Sequence, residues 1–315
     1  MMNPRILLQA LLMAAILLLT ACSKDERQSN SDIAPAQEPG DVLVVTSNYP
    51  LYFFATRIAA GVDSAPEIVF PDIEGDPAFW TPSAEQIQLL QAADLVLLNG
   101  AGAESWLNLV TVDQRRLRDT SATIASKLIP LDHSIQHQHG PEGEHSHQGT
   151  AFTTWLDPTL AIAQAQAITS ALIELSPSSA EQYKSNMAKL DQELGELDVR
   201  FNEIFARFDG RPVLFSHPVY QYLQRRYSIN GRSVHWEPDE EPSAPDWIEL
   251  QQILARHPAM IMIWEGQPLA TTAQRLSSAD ILSVEFRTVA NRPAEGDYLS
   301  TMHDNAGQME KSAAP

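Results

Sequence analysis

The stretch Asp94-Leu95-Val96-Leu97-Leu98-Asn99-Gly100-Ala101-Gly102-Ala103-Glu104-Ser105-Trp106 decides the fold class. Leu95 to Leu98 are apolar without a break, whereas a strand with one wet face alternates. Such a run needs cover on both sides, as strands of parallel sheets have. Upstream, Pro82-Ser83-Ala84-Glu85 opens a helix with Pro82 in its first turn, and Ile87, Leu89, Leu90 and Ala93 form its apolar face. Earlier still lie a strand over Val42 to Thr46, a helix over Leu51 to Ala60, and a strand over Glu67 to Phe70 ended by Pro71. Strands and helices in alternation predict an α/β fold with a parallel sheet covered on both faces.

Downstream the alternation pauses at residues 132–150, a His-rich loop, and helices resume at Asp157-Pro158. From Ser178 the chain reads as one long helix with no breaker before Asp209-Gly210. Tyr183, Met187, Leu190, Leu194, Leu197, Phe201 and Ile204 recur at spacings of four and three, a single buried stripe. About 30 residues at 1.5 Å each reach roughly 45 Å, which suits a strut between two lobes. A second lobe then repeats the pattern. It has strands at Pro212 to Phe215, Met260 to Trp264 and Ile281 to Val284, and helices at Tyr220 to Tyr227, Asp246 to Ala255 and Tyr298 to Met309. The expected domains are a lobe over 41–177 that contains the loop, a linking helix over 178–209, and a lobe over 210–310.

The N-terminus is not part of this body. Arg5 precedes an apolar run from Leu7 to Leu19, too short for a comfortable membrane span. Leu19-Thr20-Ala21-Cys22 follows, and small residues before a Cys at this place look like a bacterial lipobox. Cys22 is then the lipidated first residue, and 23–40, polar with two prolines, is a flexible tether. Cys22 is the only cysteine, so the body has neither a disulfide nor a thiolate metal ligand. The 315 residues are 44% hydrophobic, with formal net charge −19. That acidity excludes a phosphate-binding surface for nucleic acid.

Several segments together resemble the zinc- and manganese-type substrate-binding proteins of ABC importers. They are Val45 to Tyr52, Asp94 to Trp106, Trp155-Leu156-Asp157-Pro158, Glu241-Pro242-Ser243 and Ile263-Trp264-Glu265, and they span roughly 41–310. The resemblance implies two Rossmann-like lobes with parallel sheets, joined by a long backbone helix, and a metal buried between them. It also implies a ligand set of three His and one Asp or Glu. In the two contexts that normally carry His, this chain reads Asp76-Pro77-Ala78 and Phe152-Thr153-Thr154-Trp155-Leu156, so Ala78 and Thr153 replace imidazoles. His217 stands in the third context, Phe215-Ser216-His217-Pro218. The fourth falls near Arg287, with Glu285 as a substitute, and Glu265 matches a position kept near the cleft. Zinc needs at least three protein ligands, so His217 alone cannot hold it. Arg287 would repel a cation and suits an anion or carboxylate.

Five of the nine histidines, His133, His137, His139, His145 and His147, fall in the loop. In an extended chain His137 and His139 face one way, as do His145 and His147. The Gly140-Pro141-Glu142-Gly143 turn between them can bring four imidazoles to one ion. The expected metal ligands are therefore His217, His137, His139, His145, His147 and Glu265, and the expected ion is zinc, with manganese, copper and nickel as alternatives. Catalytic patterns are absent: Gly100-Ala101-Gly102 lacks both a third glycine in register and a following lysine, and His235-Trp236-Glu237 lacks the cysteines of a deaminase. The expected role is a monomeric, periplasmic, lipid-anchored metal-binding protein that serves an ABC permease in the inner membrane. The alternatives are an anion or metal chelate in the cleft, or a metal buffer without a permease.

Overall fold

The structure, a computed structural model, describes residues 42–313 apart from 72, 74, 76, 132–135, 139–143 and 147–148; for 136–138 and 144–146 it describes the backbone alone. Cys22 and the segments 1–22 and 23–40 lie outside the described residues. Among the described residues no helix is long and apolar enough to cross a membrane.

The first lobe is built on β1 (Leu43–Thr46), β2 (Glu67–Val69), β3 (Leu95–Leu98) and β4 (Leu117–Asp119), all parallel, in the order β2-β1-β3-β4. All four residues of β3 are buried, as their unbroken apolar character requires. Helix α1 (Tyr49–Ala59) is capped by Asn48, whose Oδ1 accepts from the Leu51 amide. Helix α2 (Ala84–Ala92) begins one residue past the expected Pro82-Ser83 start. Ser83 is its N-cap and forms a capping box with Gln86, which leaves Pro82 outside the helix.

The His-rich segment is a pair of short antiparallel ladders: β5 (Pro130–Leu131) with β8 (Gly149–Thr150), and β6 (Gln136–Gln138) with β7 (Glu144–Ser146). The backbone of His137 is paired with that of His145. His139 and His147 lie outside the described residues.

Helix α3 (Pro158–Leu175) leads through a 3-10 turn at Pro177–Ser179 into α4 (Ala180–Ala206). The long helix is thus shorter at both ends than the sequence suggested. Its 27 residues span about 40 Å, and the whole predicted stripe from Tyr183 to Ile204 is buried. It is fastened to both lobes. Asn186 donates to the carbonyls of Ile58 and Ala60 at 2.9 Å each, and Arg57 meets Glu193 at 2.5 Å. Asp198 accepts from Arg226 at 2.5 Å and from the Tyr227 hydroxyl at 3.0 Å.

The second lobe carries β9 (Val213–Phe215), α5 (Gln221–Tyr227), β10 (Gly231–Ser233), α6 (Ala244–Leu254), β11 (Ile261–Trp264), α7 (Ala270–Ser277) and β12 (Leu282–Glu285). Its sheet is parallel, in the order β10-β9-β11-β12. Val213, Phe215, Ile261 and Ile263 join a core that is continuous with α4 and the first lobe. Leu214, Met262 and Trp264 face a second cluster with Trp236, Trp247 and Leu250. The closing helix α8 (Tyr298–Ser312) returns to the first lobe: Tyr298 packs 5.1 Å from the Phe54 ring, and its hydroxyl donates to the Trp155 carbonyl at 2.7 Å.

Candidate metal site at the strand ends of the second lobe

In open parallel sheets ligands bind beyond the carboxyl ends of the strands. Three neighbouring strands of the second lobe deliver chemically apt side chains there. His217 follows β9 by two residues, Glu265 follows β11 directly, and Glu237 lies four residues past β10. The backbone holds the three strand ends in register. Ser216 N–H donates to the Ile263 carbonyl at 2.8 Å, and Trp236 N–H donates to the Ser216 carbonyl at 2.7 Å.

His217 is 8% exposed. Its Nδ1 lies 3.1 Å from Glu237 Oε1 and 3.3 Å from Glu265 Oε1. One candidate ligand atom from each of the three residues falls within 4.8 Å of the others. Burial disfavours the imidazolium and pushes its pKa down. The two carboxylates outweigh that and raise it to about 10. The group is a cation acceptor: without a metal ion, a proton on His217 supplies the positive charge between Glu237 and Glu265. One nitrogen and two carboxylates form a borderline-to-hard donor set that suits zinc or manganese.

The site abuts the first lobe. Thr153 Oγ1 donates to the Val219 carbonyl at 2.5 Å, two residues from His217. Tyr222 Oη donates to the Ala151 carbonyl at 2.7 Å. Ala78, in the 3-10 turn Pro77–Phe79, lines a cavity of about 10 Å³ with Ser47, Asn48, Glu104 and Phe152, room for about one water. The Glu104 carboxyl accepts from Ser47 Oγ at 2.7 Å and from the backbone amides of Asn99 and Gly100 at 2.6 and 3.1 Å. Desolvation prevails over these hydrogen bonds and raises its pKa to about 7.

Of the residues expected as ligands, His217 and Glu265 come together, and Glu237 joins them. The side chains of His137 and His145 are outside the description. Arg287 does not enter the group. It pairs with Asp304 at 3.2 Å and lies 3.9 Å from Glu285, in a separate polar cavity shared with Arg200, His303 and Lys311. Trp80, Trp155, Trp236 and Trp264 are core residues. Trp80 meets Trp106 edge-on at 5.7 Å, Trp236 packs 4.8 Å from Trp247 and 6.2 Å from Trp264, and Trp155 donates to the Thr288 carbonyl. Glu237 was missed as a candidate ligand because β10, Gly231-Arg232-Ser233, has no apolar run to announce a strand. The available signal was its position beyond a strand beside the one that ends at His217.

Fold and site define a two-lobed α/β binding protein with a cation-accepting group at its strand ends. The family model for the zinc-uptake complex component A, periplasmic (ZnuA), matches residues 44–312, and the chain belongs to that family. It is 26% identical over 316 aligned residues to the zinc-binding lipoprotein AdcA of Streptococcus pneumoniae, covering 96% of this chain and 60% of that protein; the chain thus spans well under two thirds of AdcA. It is 27% identical over 273 residues to the high-affinity zinc uptake system protein ZnuA of Bacillus subtilis, covering 84% of this chain and 82% of that protein. The crystal structure of the Zn(II)-bound ZnuA-like domain of S. pneumoniae AdcA superposes with a TM-score of 0.70 at 21% identity, over 87% of this chain and 99% of that one.

Proposed function

We propose that this chain is the extracytoplasmic metal-capture subunit of an ABC importer. It takes zinc at His217, Glu237 and Glu265 and is held to a membrane through a lipid on Cys22. The observation that carries the reading is the convergence of those three side chains at the ends of β9, β10 and β11. Zinc is favoured over manganese by the imidazole and by the relatives named for zinc uptake. The role is binding and delivery, not catalysis. The loop histidines His137, His139, His145 and His147 act as an accessory collector of the ion.

The test is a zinc titration of the stripped protein against a competing chelator. It compares wild type, His217→Ala, Glu265→Gln and a variant with His133, His137, His139, His145 and His147 changed to Gln. One tight zinc is expected in the wild type and in the loop variant. Both strand-end variants should lose it. Retention of tight zinc by His217→Ala, with its loss from the loop variant, would move the site to the loop.

A further inference from the structure

Three side chains leave a zinc ion one donor short of the four it normally takes. Beyond β10 the chain keeps its pairing with β9: Val234 N–H donates to the Phe215 carbonyl at 2.9 Å, and Trp236 N–H to the Ser216 carbonyl at 2.7 Å. Residues in such an extended run alternate in direction. Val234 and Trp236 are buried in the core, so His235 and Glu237 project to the opposite side. There the His235 ring stands edge-on to the His217 ring, with centroids 6.1 Å apart and planes at 84°. Two imidazoles on one tetrahedral zinc, with Zn–N of about 2.0–2.1 Å, hold their centroids roughly 5 Å apart. His235 therefore stands within about 1 Å of a ligating separation. It is exposed, whereas His217 is buried. The remaining described histidines are elsewhere: His257 meets the Val213 carbonyl at the amino end of β9, and His303 meets Arg200.

We infer that His235 is the fourth ligand of the ion and the first that an incoming ion meets, which completes a site of two imidazoles and two carboxylates within one lobe. This rests on the reading of His217, Glu237 and Glu265 as ligands. A second imidazole also determines specificity, because it favours zinc over manganese, which prefers oxygen donors.

The experiment uses the full chain with Cys22→Ser and the five loop histidines changed to Gln, loaded with cobalt(II) as a spectroscopic stand-in and separately titrated with zinc. The parent should show the intense visible bands of four-coordinate cobalt. In H235A those bands should weaken, and zinc affinity should fall by at least the roughly 10–100-fold that loss of an outer-shell partner costs. H235C should restore four-coordination and add a thiolate-to-cobalt charge-transfer band, a signature that a merely structural role would not produce. If H217A loses the ion while H235A keeps both bands and affinity, and H235C shows no charge transfer, His235 is not a ligand and the three-residue site stands. If H217A itself keeps the ion, the strand-end site is wrong and the inference falls with it.

Discussion

Thr153 donates its hydroxyl hydrogen to the carbonyl oxygen of Val219 at 2.5 Å. A buried hydroxyl thus clasps the first lobe to the turn bearing His217. Thr153 is 3% exposed, so removal of the donor leaves a carbonyl poorly served. Thr153→Val should lower stability by about 1 kcal/mol and weaken zinc binding by loosening the His217 turn. Thr153→Ser should keep both. Chemical denaturation and zinc titration of the two variants check this.

Glu104 makes stability depend on pH in an unusual direction for a carboxylate. Its folded pKa, about 7, lies above the unfolded value of 4.5, so the native state binds the extra proton between those values. Stability contributed by the protonated form is present below about pH 4.5 and is lost as pH rises to about 7, by at most about 3 kcal/mol. Urea midpoints of the metal-free protein should carry this fall from pH 5 to 7.5. Glu104→Gln should remove that component.

Gly100 has φ +74°, and a Cβ there would sit 1.9 Å from Asp119 Oδ1 and 2.2 Å from Ser121 Oγ. Gly100→Ala combines backbone strain with a collision against a hydrogen-bonded carboxylate. It should cost upwards of about 1–3 kcal/mol, seen as a lowered thermal midpoint.

Leu194 is fully buried in the middle of α4, between the Glu193 tie to Arg57 and the Asp198 tie to Arg226. Leu194→Ala should destabilise by about 2–5 kcal/mol. Because one core runs from the first lobe through α4 onto the second sheet, calorimetry should still show a single transition at a lower temperature.

Elements that bury a continuous apolar run or a regular stripe were legible from residue types. Leu95 to Leu98 and the face from Tyr183 to Ile204 are buried as read. Gly231-Arg232-Ser233 was not legible, because a short edge strand without apolar residues is defined by its partner and not by its composition. Glu237 was hidden with it. The bond that Thr153 makes was not legible either, since it depends on a carbonyl 66 residues away. The separation of Arg287 from His217 likewise follows from the pairing of Arg287 with Asp304 on α8, a contact that local sequence does not encode.

The three candidate ligands ride on adjacent strands of one sheet, so they travel as one rigid piece. Prying the lobes apart would stretch the Thr153–Val219 clasp yet leave the spacing of His217, Glu237 and Glu265 unchanged. An ion held in the proposed way would be indifferent to hinge angle, and its hand-over would then be an exchange of ligands with a competing chelator and not a mechanical opening.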